Sequence, residues 1–116
     1  MSSYKDLHVW QKGFDLCVEV YAFTKLFPKE EQYGLTSQMR RASVSIPSNI
    51  AEGSKRGKKE FSHFLRIAHG SGAELETQIL LAERLGYVSQ SSKTDSLQEL
   101  DELMKMLATF IKKLDS

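Results

Sequence analysis

Apolar residues recur along this chain at alternating steps of three and four, and four separate stretches carry that rhythm. The first holds Leu7, Trp10, Phe14, Cys17, Tyr21 and Thr24, within a helix predicted from about Leu7 to Leu26. A second apolar line, Val9, Leu16, Val20, Phe23 and Phe27, lies beside it. The first line is the expected core seam. The second makes the helix apolar over most of its circumference, so an oligomer interface is the expected use of these five residues, with burial inside one subunit as the alternative. The Phe27-Pro28 step ends the helix, because a residue before proline is pushed out of the helical region.

After a short polar linker, the second stretch reads Leu35, Met39, Ala42, Ile46, Ile50 and Gly53. Pro47 falls inside it, yet the rhythm passes through without a slip. A continuous helix kinked at Pro47 is therefore expected, its freed Ser43 carbonyl met by nearby hydroxyls or water. The other possibility is a stop near Ile46 and a new turn at Ser48. Gly53 to Gly57 read as a turn, and Lys58 opens the longest pattern: Phe61, Leu65, Ala68, Gly72, Leu75, Ile79, Ala82 and Gly86. Gly70, Ser71 and Gly72 thin this third helix at its middle, where a neighbouring backbone such as the Pro47 bend fits closely. Gly86 is the expected left-handed cap. A serine-rich loop with a capping box at Ser92 and Asp95 leads into Leu97, Leu100, Met104, Leu107, Ile111 and Leu114. Four such stripes with short connections predict an all-α fold, an antiparallel up-down-up-down four-helix bundle, with residues 1–116 as one domain.

Composition agrees with that architecture. A chain of 116 residues, 41% hydrophobic and 27% charged, suits one soluble domain whose core needs no disulfide or metal. Cys17 is the single cysteine, which excludes an internal disulfide framework, and on the apolar seam it reads as a packed, inert thiol. The N-terminus lacks an apolar signal core and no apolar run reaches membrane-spanning length, so a cytoplasmic location is expected and no membrane contact.

The distribution of charge changes the picture more than its total of +1. Residues 1–33 carry net −1 and residues 71–116 net −3. Residues 34–70 hold seven Lys or Arg against Glu52 and Glu60, net +5. Arg40 and Arg41 stand roughly 20 Å along the helix from Lys55 and Arg56, a span over which several phosphates can be touched. Lys58 and Lys59 add to the basic turn, and Ser45, Ser48 and Asn49 offer neutral donors suited to phosphate oxygens. These nine residues are the candidate nucleic-acid-binding set. Two plainer readings stand beside it: a solvated charged face, and salt bridges from Arg40 or Arg41 to the Glu74, Glu76 and Gln78 region.

The search for catalytic chemistry returns little. Glu60 and His63 form half of a di-iron ligand motif, but no second copy exists, and His8, His63 and His69 share no face. Gly70-Ser71-Gly72 lacks the preceding strand that a nucleophile turn needs, and no glycine-rich phosphate loop is present. No enzyme activity, metal, cofactor or small-molecule substrate is expected.

The stretch from Leu7 to Arg56, with SIPSNIAEG at its centre, and the later EFSHFLRIAHGSGAELETQILLAERLGY closely resemble the bacterial 23S rRNA intervening-sequence proteins over about residues 6–88. These are similar in turn to the accessory variability protein of diversity-generating retroelements. Gln38, Arg40, Arg41, Ser45, Ile46, Pro47, Asn49, Glu52, Gly53 and Arg56 fall on the family motif. The resemblance implies a four-helix bundle assembled as a homopentamer and associated with nucleic acid, in the retroelement relatives also with a reverse transcriptase. This chain departs from those relatives in being nearly neutral where they are markedly basic. The function expected is thus a non-enzymatic, homo-oligomeric bundle binding structured RNA or an RNA–DNA hybrid. The alternative is a protein-interaction scaffold whose second helix meets a partner or builds the subunit interface.

Overall fold

The stripes predicted on the second, third and fourth helices turn toward a common core, and that mutual burial is what makes the helices persist. The computed structural model describes residues 3–116; Met1 and Ser2, the start of the predicted domain, lie outside them. Four helices follow in order, α1 (His8–Thr24), α2 (Leu35–Ser54), α3 (Lys58–Arg84) and α4 (Gln90–Asp115), with 3-10 turns at Tyr4–Asp6 and Lys29–Glu31. No strand occurs among the described residues. α2 packs on α1 and α3, and α4 on α3 and α1, so the four enclose a shared core. Val20, Met39, Ile50, Leu65, Leu75 and Leu107 are wholly buried in it. Each such side chain contributes about 1.5–3 kcal/mol on leaving water.

Neighbouring helices meet in opposite order along the chain. Lys12 and Glu19 of α1 reach Glu102 and Ser96 of α4, while Arg40 and Ser43 of α2 reach Thr24 and Cys17 of α1. Ser62 and Glu83 of α3 likewise reach Asp115 and Lys93 of α4. One end of the assembly therefore gathers the α2–α3 turn with the last turn of α4. At the other end the Tyr87 hydroxyl donates to Glu31, which raises the phenol's pKa, and Glu31 also accepts from the Leu35 N–H at the start of α2.

The two apolar lines of α1 are buried the other way round from the expectation. Val9, Leu16, Val20 and Phe27, expected at an oligomer interface, are buried in the chain's own core, and Phe23 is half-buried against it. Of the expected core seam, Phe14 and Tyr21 are exposed, Leu7, Trp10 and Cys17 are half-buried, and only Thr24 is buried. The cause is Gly13. A Cβ there would stand 3.2 Å from Ile46 Cγ2 and 3.6 Å from the Pro47 nitrogen, so its bare backbone marks the inward face of α1. A count of apolar bulk passes over a glycine.

α2 runs unbroken through Pro47, and it is Gly13, not the Gly70–Gly72 segment, that receives the proline ring. Gly72 instead faces Met104 of α4, and Gly70 faces open space. The cap at Gly86 forms as expected: φ is 81°, the Gly86 N–H donates to the Glu83 carbonyl and the Tyr87 N–H to that of Ala82. The expected capping box at Ser92 and Asp95 does not form. α4 starts earlier, because the Ser89 hydroxyl accepts from the Ser92 N–H at 3.1 Å, and the serine-rich segment becomes its first turns.

Candidate nucleic-acid interface

With Leu35, Met39, Ala42, Ile46, Ile50 and Gly53 turned inward, α2 has two flanks and an outer edge left to present. Five of the nine candidate residues lie on α2 and divide among these three; Lys55 and Arg56 fall in the turn after it and Lys58 and Lys59 at the start of α3, so the nine are not one surface.

Arg40 turns to the α1 flank. Its Nε donates to Thr24 Oγ1 at 2.9 Å, a second nitrogen reaches the Tyr21 carbonyl at 3.4 Å, and its guanidinium lies 4.6 Å from the Tyr21 ring centre. A cation placed on the last turn of α1 meets carbonyls that have no helical partner and the negative end of the dipole. Arg40 is thereby a fastening between α1 and α2.

Ser45 and Asn49 turn to the α3 flank. The Ser45 and Ser71 hydroxyls are 2.8 Å apart, and the Asn49 amide donates to both the carbonyl and the hydroxyl of Ser45. The Ser45 hydroxyl is thus taken up by Ser71 of α3, and the Asn49 amide N–H groups by Ser45 of the same helix. Arg56 is occupied too: it pairs with Glu52 at 2.7 Å and with Glu60 at 3.4 Å, and lies over the Phe64 ring. The hydrogen bond to Glu52 raises its pKa further above the ordinary guanidinium value.

Arg41, Ser48, Lys55, Lys58 and Lys59 remain on the outside. Among the described residues the four cations enter no ion pair within the chain. Lys55 lies 5.6 Å from the centre of the Tyr4 ring. Arg41 borders a polar hollow of about 300 Å³ shared with Gln38, Glu74 and Gln78, without pairing to Glu74. The Gln78 Oε1 in that hollow is buried and has no hydrogen-bond partner.

The fold also adds cations that the reading of α2 missed. Phe110 of α4 packs on Phe61, and Asp115 binds Ser62 and Arg66, which places exposed Lys112 and Lys113 at the same end as Lys58 and Lys59. The signal was present as two lysines in the last turn of α4, but only the pairing of α4 with α3 shows which end they join. His63 is exposed, and His69 borders a hollow with Arg66 and Lys112. No three His, Cys, Asp or Glu side chains among the described residues converge on a metal position.

Beside the cationic edge lies a different surface. α1 and α2 part toward solvent, leaving an open groove of about 660 Å³ walled by Trp10, Phe14, Val18, Tyr21, Val44 and Pro47. Trp10 packs on Tyr4 and Phe14 at ring separations of 5.4 and 5.0 Å. Cys17 also lines this groove, its sulfur 3.5 Å from the Ser43 hydroxyl.

The sequence matches the family described as 23S rRNA-intervening sequence protein over residues 5–109, nearly its whole length. The chain belongs to that family. Its fold is shared with a crystal structure from Bacteroides thetaiotaomicron VPI-5482, described as a protein with unknown function from the S23 ribosomal protein family. That structure is 24% identical, with a TM-score of 0.82 over 90% of this chain and 95% of the other. No curated protein matches by sequence. The family's match spans α1 to most of α4, so it takes in the groove and Lys55, Lys58 and Lys59 of the cationic end, while Lys112 and Lys113 lie beyond it. Among the described residues no helix is long and apolar enough to cross a membrane.

Proposed function

We propose that this chain is a non-enzymatic, homo-oligomeric RNA-binding bundle, pentameric by family resemblance. Its ligand is structured RNA or an RNA–DNA hybrid. The opposite order of contacts between neighbouring helices supports an up-down-up-down antiparallel bundle, one domain over residues 1–116, with its second helix bent at Pro47. A cytoplasmic setting follows from the same reading. The phosphate-contacting set is narrower than the sequence pattern: Arg41, Lys55, Lys58 and Lys59, extended by Lys112 and Lys113, with Ser48 as a neutral donor.

One observation carries the reading. These cations stand exposed at one end and along one edge, and among the described residues none of them pairs with an acid. A solvated face of no function would tolerate the same arrangement, but the family's rRNA name adds weight to phosphate as the counter-charge. Phosphate contacts release counterions, so affinity falls steeply with salt. Titration of ribosomal RNA fragments at several ionic strengths will give a linear log–log slope. Lys58→Ala with Lys59→Ala will flatten it by about 2, roughly one per cation removed. Absence of binding at low ionic strength removes the proposal.

A second reading, an interaction scaffold or accessory subunit for a partner such as a reverse transcriptase, is favoured by the apolar groove. Under it, Arg41→Ala alters partner capture or oligomer mass and leaves RNA affinity unchanged.

A further inference from the structure

We infer that the polar hollow between α2 and α3 holds the edge of one unpaired guanine base of the RNA strand. The inference rests on the RNA-binding reading above and goes on to name a nucleotide and the side chains that read it.

Ser71, Glu74 and Gln78 follow one another on α3 at steps of 3 and 4, and Arg41 and Ser45 on α2 at a step of 4. With small Ala42 they line a hollow of about 300 Å³. Cavities that hold small ligands run from about 300 to 1,000 Å³, so this one suits a single base. No aromatic ring lines it. Stacking, which accepts any base, is therefore not what the hollow offers, and recognition falls to hydrogen bonds.

Those hydrogen bonds are waiting for a partner. The Gln78 Oε1 is buried without one, a state that costs free energy until a donor arrives. Neither Glu74 nor Arg41 enters an ion pair among the described residues. The Ser45 and Ser71 hydroxyls hold two hydrogens and use one between them, the Asn49 amide supplying its own, so one hydroxyl hydrogen is left to donate. The hollow thus sets two acceptors, Gln78 Oε1 and the Glu74 carboxylate, beside a charged donor and a hydroxyl. Arg41 repels a free cation and Glu74 a free anion. The ligand is a neutral group with its own donors and acceptors side by side.

Among the bases, guanine alone carries two adjacent donors, N1–H and the 2-amino group, next to an acceptor, O6. The two donors supply Gln78 Oε1 and Glu74, while Arg41 meets O6 and N7, its commonest base partner. Adenine and cytosine bring one donor group on the same edge, and uracil one N–H between two acceptors. In a duplex that edge of guanine is already paired, so the base comes from a loop or bulge of structured RNA. Arg41 also stands on the cationic edge, so a strand that follows the edge passes the hollow. There it contacts a base, where the lysines contact phosphates.

Hairpin RNAs identical except for one loop nucleotide test this, read by fluorescence anisotropy. The wild type will bind the guanine hairpin about tenfold more tightly than the adenine one, the discrimination of one bidentate contact. Inosine in that place, which lacks the 2-amino group, will fall between them. Gln78→Met removes the buried acceptor at nearly constant shape, and it will abolish the preference while melting at or above the wild-type temperature. Glu74→Ala, at an exposed position, will also abolish the preference. Equal wild-type affinity for guanine and adenine overturns this inference and leaves the RNA-binding reading standing. A preference that survives in both variants overturns the hollow as its source. Inosine bound as tightly as guanine overturns the role of the 2-amino group. Guanosine monophosphate that displaces the hairpin at the hairpin's own concentration overturns the strand as the origin of the base and assigns the hollow to a free nucleotide. Absence of binding to every hairpin at low ionic strength overturns this inference and the RNA-binding reading together.

Discussion

The seam between α1 and α2 and the two seams of α3 are closed by different chemistry. α3 meets α2 through the Ser45–Ser71 hydroxyl pair braced by Asn49, and α4 through Ser62 and Asp115. Such groups are directional and saturable: once partnered inside the chain they ask nothing of a neighbour. Between α1 and α2, Gly13 lies close against Pro47, and the outer part of that seam flares into aromatic and aliphatic walls. Apolar attraction has no direction and does not saturate at the chain boundary. The α3 seams are clasped by groups that find partners within the subunit, whereas the outer part of the α1–α2 seam leaves apolar walls exposed.

The largest effect should come from Arg40, the charged fastening across the α1–α2 seam. Arg40→Ala removes the bonds to Thr24 and the Tyr21 carbonyl together with the stacked contact on the Tyr21 ring. A hydrogen bond to a charged group is worth about 1.5–3 kcal/mol and an accessible cation–π contact about 0.5–1. A loss of about 2–3 kcal/mol in chemical denaturation is expected. The adjacent Arg41→Ala should stay within about 0.5 kcal/mol, as an exposed residue without intramolecular partners. Equal stabilities for the two variants would erase the distinction between a fastening and a surface ligand.

A smaller loss is expected on the α2–α3 seam. Gly53→Ala would put a Cβ 2.7 Å from Phe64 Cβ and 2.9 Å from Phe61 Cδ1. The first of these is fixed to the α3 backbone and cannot swing aside. Overpacking of this kind costs about 1–3 kcal/mol, against a gain of about 1 in helix propensity. A net destabilisation of about 1 kcal/mol, at most about 2, is expected, read as a lower denaturation midpoint. A variant as stable as the parent would mean that α2 and α3 slide apart freely.

What was legible in the sequence divides along the same line. Long apolar periodicity in α2, α3 and α4 placed their cores, and the inward position of Gly53 and the cap at Gly86 were readable because local chemistry decides them. α1 misled because two apolar lines compete there, and the tie is broken by Gly13 against Pro47, a contact between residues 34 positions apart. The site fared likewise. Exposure of Lys58 and Lys59 follows from their place at the start of α3, and the Arg56–Glu52 and Asn49–Ser45 contacts join residues four apart, whereas the withdrawal of Arg40 and Ser45 depends on Tyr21 and Ser71 of other helices. Charge pattern gives the number of cations, and only packing tells which ones are already spoken for.

The smallest effect belongs to the α3–α4 seam and depends on pH. The Ser62 hydroxyl donates to Asp115 and Arg66 pairs with it, holding the carboxyl below the usual carboxylate range despite partial desolvation. A carboxyl depressed in the folded state adds stability that is fully present above its unfolded value and is lost as pH falls through the folded one. Asp115→Asn should therefore melt below the wild type at neutral pH, and the two curves should converge as pH drops below about 4. The Ser62 hydroxyl can still donate to the amide oxygen of Asn, so what disappears is the charge shared with Arg66. High salt should narrow the neutral-pH gap, because the pair lies at the surface. A gap that persists unchanged into strong acid would place the contribution of this residue in its shape, and the α3–α4 clasp would then be steric where the present geometry makes it electrostatic.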